Sequence, residues 1–238
     1  MKNTPLSVIL MVHNEEDTII SEVKNYYQKI IKKLPGSELI VAEDGSRDRT
    51  REILYGLVEK LPLVLLVTPK KRGYAKSLRL AFTKAKGELV FYADAGGKHD
   101  PEDFWKLYKK IPKYDFVTGN KSNRHDPWYR LFLAWGLNKI VNIYFKVSFS
   151  DIDSGFKLFK DKVKKNLLQE RWILTNNISL EIVLRVVAGK FKTTEVAVKH
   201  FARKTGASRG LPLKKIPRAV FNILLSLPKL KNNIFESN

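Results

Sequence analysis

The sequence predicts an α/β fold, one mostly parallel sheet flanked by helices. Three observations carry that expectation. Short apolar runs alternate with helical stretches through the first half of the chain, the pattern of right-handed βαβ units. The first run, residues 6–12, is continuously apolar, as a strand buried on both faces must be. Carboxylates follow the strands that begin near residues 6, 38 and 88, where an open α/β sheet places its ligands.

Taken in order, residues 6–12 form the first strand, His13, Asn14, Glu15 and Glu16 end it, and a helix is expected to about Lys33. Residues 38–42 are the second strand, 43–48 a polar turn and 50–60 a helix; Glu16 and Asp48 are expected only to begin helices, where the macrodipole favours acids. A third strand over 63–68 and a basic helix over 73–86 precede the strand 88–92, which delivers Asp94 to the loop Ala95-Gly96-Gly97-Lys98-His99. Asp100, Pro101, Glu102 and Asp103 then supply an N-cap, a proline at the first helical position and acids in the first turn. Residues 115–118 are a further strand.

The stretch 128–147 predicts an apolar helix with a polar stripe of Arg130, Asn138, Asn142 and Lys146, suited to a core or to a membrane interface, and the interface is the expectation. In the helix over 177–189, Glu181 and Arg185 are expected to form a surface pair. Residues 191–198 alternate like a strand. From Leu211 onward, Pro212, Pro217 and Pro228 are expected to cut the chain into short pieces, leaving a basic amphipathic tail over 211–238 that anchors at an interface.

Composition narrows the function. The 238 residues carry a formal charge of +20, which favours a polyanionic partner such as phosphorylated substrate, anionic membrane or nucleic acid. The basic residues are not interleaved with aromatics on a nucleic-acid motif, so no nucleic acid is expected. No apolar run reaches the roughly 18 to 20 residues needed to span a bilayer. Without cysteines there are no disulfides or thiolate metal sites, and the opening residues lack a signal peptide, so a cytoplasmic protein peripheral to the membrane is expected. Neither a Gly-x-Gly-x-x-Gly turn nor a P-loop follows the first strand.

Three motifs in this order, Asn14-Glu15-Glu16, then Glu43-Asp44-Gly45-Ser46-x-Asp48-x-Thr50, then Asp94-Ala95 with His99-Asp100-Pro101-Glu102-Asp103, resemble the family 2 glycosyltransferases of GT-A fold. The likeness lies with the dolichyl-phosphate mannose synthase and polyprenyl-phosphate glycosyltransferase branch and covers about residues 5 to 210, so residues 1–210 are expected to be a GT-A domain. The resemblance implies a nucleotide-sugar donor held by Met11, His13, Glu15, Ala42, Asp44, Asp94 and Ala95, with Arg203 and Arg209 as a clamp over its diphosphate. It implies an acceptor phosphate held by Lys121, Arg124 and Arg130, the arginines' planar forks matching phosphate oxygens, with Asp151 or Asp153 nearby.

The activity implied is inverting transfer of a sugar from GDP-mannose or a UDP-sugar to a polyprenyl or dolichyl phosphate; a soluble glycan is the alternative acceptor. One departure concerns the metal. Relatives read Asp-x-Asp-x-Gln where this chain has Asp94-Ala95-Gly96-Gly97-Lys98, so Asp94 is left as the single acid of the motif for Mg²⁺ or Mn²⁺, the second acid being replaced by Gly96. Lys98 is expected to take over part of the ion's charge, with Asp94, Lys98 and Asp153 forming the catalytic group.

Overall fold

The computed structural model describes residues 4–122, 128–175, 177–201 and 216–236. Seven strands, β1 (Leu6–Val12), β2 (Glu38–Glu43), β3 (Val64–Val67), β4 (Leu89–Asp94), β5 (Phe116–Ser122), β6 (Phe156–Lys160) and β7 (Thr193–Lys199), form one sheet in the order β3–β2–β1–β4–β6–β5–β7. β1 pairs parallel with β2 and β4, β2 with β3, and β5 with β7; β6 alone runs antiparallel, between β4 and β5.

The helices are α1 (Ile19–Lys29), α2 (Thr50–Val58), α3 (Tyr74–Lys84), α4 (Phe104–Tyr108), α5 (Trp128–Phe145), α6 (Asp161–Gln169), α7 (Ile178–Ala188) and α8 (Ile216–Lys231). One face of the sheet packs its alternate side chains, among them Val8, Leu10, Phe91 and Leu158, against α1, α2 and α4. Ile9, Met11, Tyr92, Phe116 and Phe159 point the other way, against α3, α6, α7 and the inner faces of α5 and α8. The result is a three-layer α/β/α arrangement that buries the strands on both sides.

Several expectations are corrected. α1 starts at Ile19 rather than at Glu16, and ends at Lys29 before a 3₁₀ turn, Ile31–Lys33. β6 and α6 were not foreseen. Glu181 and Arg185 are both buried: Glu181 accepts from Ile173 N, Leu174 N and Arg185 Nε at 2.6–2.9 Å, because nearly all of α7 lies inside the core. Pro217 and Pro228 do not fragment the chain, and Pro212 lies outside the described residues. Pro217 falls in the first turn of α8, where its missing N–H costs nothing, and Pro228 is accommodated inside the helix before a wider π turn, Asn232–Glu236.

Asp100 caps as expected, accepting from Glu102 N at 3.1 Å, though the first turn is 3₁₀. Asp48 begins a helix as expected, accepting from Thr50 N at 3.1 Å, whereas Glu16 serves the same helix α2 rather than its own, accepting from Arg49 N at 2.9 Å.

Candidate functional site

The strand order switches direction between β1 and β4, and the ends of those strands meet there with Met11 opposite Asp94. Ala95 N donates to Met11 O at 3.0 Å and Asp94 N to Gly155 O at 3.1 Å, so Asp94 is held from both sides. A Cβ on Gly155 would run into Asp94 Oδ2, which makes glycine a requirement for that approach. Tyr74, at the start of α3, donates its hydroxyl to Asp94 Oδ1 at 2.5 Å. Burial raises the Asp94 carboxyl above its ordinary range, opposed by the Tyr74 hydrogen bond and by the ammoniums of Lys121, Lys98 and Lys157.

A cavity of about 190 Å³ opens over this floor, lined by Tyr74, Asp94, Asp153, Asn177, Ile178 and Ser179. Asp153 keeps an exposed edge at its mouth and accepts from Asn177 Nδ2 at 3.3 Å. Asp151 turns the other way: its Oδ2 accepts from Lys121 N at 3.2 Å and pairs with Lys121 Nζ at 3.4 Å. The two acids that the sequence leaves equivalent are thereby separated, Asp153 in the cavity with Asp94 and Asp151 on Lys121. Beneath them Lys157 is fully buried, its Nζ donating to Ser154 O, which also accepts from Ser179 Oγ at 3.2 Å. Burial brings Lys157 down to about 8, with Asp151 and Asp153 opposing, so it remains largely protonated at neutral pH.

On the other side of Asp94 lie the residues expected to meet a donor nucleotide. Met11 and Ala42, register partners on β1 and β2, are buried, and His13 sits half-exposed just past the end of β1, lowered by burial and by Lys71, with Asp44 opposing. Asp44 is committed to the backbone and to a helix: it accepts from Arg72 N at 2.8 Å, Gly73 N at 3.1 Å and Ser77 Oγ at 2.7 Å. It thus fixes the loop that presents Tyr74. Glu15 is buried, accepts from Thr18 Oγ1 at 3.2 Å and approaches Gly96. Glu22, buried beneath the same loop, is pushed up to about 7 by burial, with the backbone N–H groups of Gly97 and Gly96 opposing.

The loop bearing Lys98 is tied to the end of β7: Phe201 N donates to Lys98 O at 2.8 Å, and His99 and His200 form an antiparallel bridge. Arg124, Arg203 and Arg209 lie outside the described residues, as does the side chain of Arg130, although Arg130 itself falls within α5. Four contributors escape sequence reasoning: Tyr74, Asn177, Ser179 and Lys157. For Lys157 a signal existed, a lysine inside the otherwise aromatic and aliphatic run Phe156-Lys157-Leu158-Phe159.

The donor set does not fit a divalent ion. Gly96, where a second acid would stand, has φ +115°, a conformation that an L-residue avoids, and a Cβ there would lie 3.2 Å from Glu15 Oε1. Asp94 is taken up by Tyr74 and pressed against Gly155, and apart from Asp153 across the cavity its charged neighbours are lysines. Among the described residues no three His, Cys, Asp or Glu side chains come together as a metal-binding group.

Along α5 a second cavity of about 240 Å³ continues outward from Asp153 and Asp151 past Lys121, Ile152 and Asn138 to Leu131, Ala134 and Trp135. Asn138 and Asn142, the centre of the polar stripe, face inward and donate to Phe149 O at 2.6 and 2.8 Å. The outward face is mostly apolar, interrupted by the exposed Lys139, with Trp128 79%, Phe132 64% and Ile143 76% exposed. Phe221 and Leu225 of α8 are exposed too, and α5 meets the turn after α8 where Phe145 packs on Phe235. Among the described residues no helix is long and apolar enough to cross a membrane.

This sheet order, with acids at the switch point, defines a GT-A nucleotide-diphospho-sugar transferase fold. Glucosyl-3-phosphoglycerate synthase from Mycobacterium tuberculosis, solved with Mn²⁺, uridine diphosphate and phosphoglyceric acid, superposes with a TM-score of 0.69 at 17% identity over 94% of this chain and 78% of that one. S. aureus TarS in complex with UDP superposes at 0.64 and 16%, over 97% and 66%. The profile of glycosyl transferase family 2 matches residues 7–168, and the chain belongs to that family. Its curated relatives include undecaprenyl-phosphate 4-deoxy-4-formamido-L-arabinose transferases of Edwardsiella ictaluri, 25% identical over 93% of this chain and 67% of the relative, and of Aeromonas hydrophila, 27% over 88% and 64%. The chain thus spans about two thirds of their length.

Proposed function

We propose that this protein transfers a sugar, with inversion, from a nucleoside diphosphate donor to a polyprenyl phosphate at a membrane surface. One observation supports it above the others: the groove along α5 begins at Lys121, Asp151 and Asp153 beside the cavity over Asp94 and ends among Leu131, Ala134 and Trp135 on the apolar face. That gradient matches an amphiphile with an anionic head and a hydrocarbon tail. The named activity of the curated relatives, transfer onto undecaprenyl phosphate, agrees with it.

A phosphate oxygen of the acceptor attacks the anomeric carbon while the bond to the donor diphosphate breaks and its electron pair leaves with the nucleoside diphosphate. The acceptor oxygen is already anionic near neutral pH, so the protein has to position it rather than deprotonate it. Asp94 and Asp153, across the cavity, orient sugar hydroxyls. Lys121, mostly buried at the inner end of the groove and tethered by Asp151, receives the acceptor phosphate together with Arg124 and Arg130. Lys98 faces the departing diphosphate, where charge builds in the transition state, and Arg203 and Arg209 close over it.

The apolar faces of α5 and α8, with basic residues at 214, 215, 218, 229 and 231, support a peripheral enzyme on the cytoplasmic leaflet. The test is a panel of radiolabelled UDP- and GDP-sugars offered with vesicles containing undecaprenyl or dolichyl phosphate, and separately with soluble glycans. Label moving into the lipid phase supports the reading; label moving only onto soluble glycan rejects it.

A further inference from the structure

Lys157 stands out among the buried groups because nothing in a sheet interior calls for an ammonium. It is 0% exposed, sits opposite Tyr92 on β4 and Thr118 on β5, and lies between Phe156 and Leu158 in sequence. Removing an ammonium from water costs several kcal/mol unless opposite charge compensates it. The compensation comes from the site: Asp151, Asp153 and Asp94 all favour its charged form. Its ammonium donates to Ser154 O, the carbonyl between Asp153 and the glycine on which Asp94 rests, and lies 6.0 Å from the Tyr92 ring centre. Around these acids stand lysines: Lys98, Lys121 and Lys157 favour the charged form of Asp94, and Lys121 and Lys157 that of Asp153.

We propose that Lys157 is the positioning cation of this site, compensating Asp94 and Asp153 from inside the sheet and thereby suppressing the divalent-ion affinity that these two acids would otherwise have. The reasoning is electrostatic. A hard cation is drawn to clustered carboxylates that lack a counter-charge. Here the counter-charge is covalently attached, cannot diffuse away, and reaches the acids from within the sheet. Lys157 is closed off from the cavity by its burial, so it acts through the acids it balances. The inference deepens the transfer reading, since it rests on Asp94 and Asp153 being the acids that orient the transferred sugar.

Mn²⁺ alone is the probe, titrated into the purified full chain and followed by the electron paramagnetic resonance signal of the free ion. Neither donor nor acceptor is present, so a failed transfer assay and a failed titration are separate results. The wild type is expected to bind Mn²⁺ only weakly, with no saturation at micromolar ion. Lys157→Met and Lys157→Gln, the second retaining a donor for Ser154 O, should bind at least ten-fold more tightly, while Lys157→Arg keeps the weak wild-type value. Micromolar binding by the wild type overturns the proposal, as does a folded methionine or glutamine variant with unchanged affinity, or equal tightening in the arginine variant. If neither neutral variant melts cooperatively, Lys157 belongs to the fold alone and the proposal likewise falls.

Discussion

Tyr74→Phe isolates one contact of the site. The substitution removes only the hydroxyl that donates to Asp94 Oδ1 at 2.5 Å, and the ring, which packs against the core from the head of α3, remains. A hydrogen bond to a charged group contributes about 1.5–3 kcal/mol. Asp94 is half-buried and lines a cavity open to water, so solvent replaces part of the lost bond and the lower end applies. About 1.5 kcal/mol corresponds to roughly a ten-fold fall in kcat/KM, because a carboxylate free to rotate no longer holds the sugar in the attacked geometry. The direction of a second effect is also fixed. The Tyr74 hydrogen bond lowers the Asp94 pKa, so its loss raises that pKa and moves the acid limb of the pH–rate profile towards neutrality. Initial rates with labelled donor and vesicle-borne acceptor, from about pH 5 to 9, give both quantities, and a melting curve checks the fold. A variant within two-fold of wild type at every pH would refute the role given to Tyr74 and, with it, the view that Asp94 must be oriented.

Three further outcomes are expected. Glu22, raised from 4.5 to about 7 by burial, binds its proton more tightly folded than unfolded; stability therefore falls as pH rises through 4.5 to 7, by on the order of 3 kcal/mol in all. Glu22→Gln should flatten urea midpoints across that window and be more stable than wild type at pH 8. Glu181→Gln leaves the Arg185 guanidinium buried without its counter-charge and should lower unfolding free energy by about 3–5 kcal/mol, read by urea denaturation; a loss under about 1 kcal/mol would return the pair to the surface role that its spacing suggests. Phe132→Ser with Trp135→Ser, both on the exposed face of α5, should reduce co-sedimentation with anionic vesicles about ten-fold or more, and unchanged recovery would remove α5 from the membrane contact.

What could be foreseen depended on the range of the interaction that decides each feature. β1, β2 and β4 were legible because a strand covered on both faces must be apolar at nearly every position, and their ends were legible because the acids fall just past the apolar run. β6 was not, since Phe156-Lys157-Leu158-Phe159-Lys160 resembles a half-exposed segment, and only the neighbouring strands and the site acids explain its buried lysine. Spacing paired Glu181 with Arg185 correctly but carried no information on which face of α7 would be covered, and that face is covered by α6 and the C-terminal turn. The prolines of α8 misled because a proline weakens a helix by its local bond, whereas Ile223, Leu227 and Leu230 hold this helix to the core from outside. In the site itself, Asp94 announces itself by position. Tyr74, Asn177 and Ser179 reach it from 20, 83 and 85 residues away, so no local pattern marks them.

α5 connects these observations. The two asparagines of its polar stripe, which on a membrane-lying helix would face water, are instead spent on the protein: Asn138 Nδ2 donates to Phe149 O and to Ser150 O, the second at 3.0 Å, and Asn138 Oδ1 accepts from Ile152 N at 3.2 Å. Those three contacts clamp the loop that carries Asp151 and Asp153 to the helix. Consequently the same helix that exposes Phe132, Trp135 and Ile143 on one face sets the position of the acids from the other. A lipid surface that takes up the apolar face therefore bears on a rigid element bolted to the site, so docking the helix and aligning Asp153 with an acceptor head group are one geometric event. Asn138→Ala separates them: the apolar face remains and vesicle binding should persist, while the loop loses its clamp and transfer falls by about ten-fold, the scale of one or two hydrogen bonds at about 1 kcal/mol each. Loss of vesicle binding together with transfer would show instead that the asparagine only holds the helix in place.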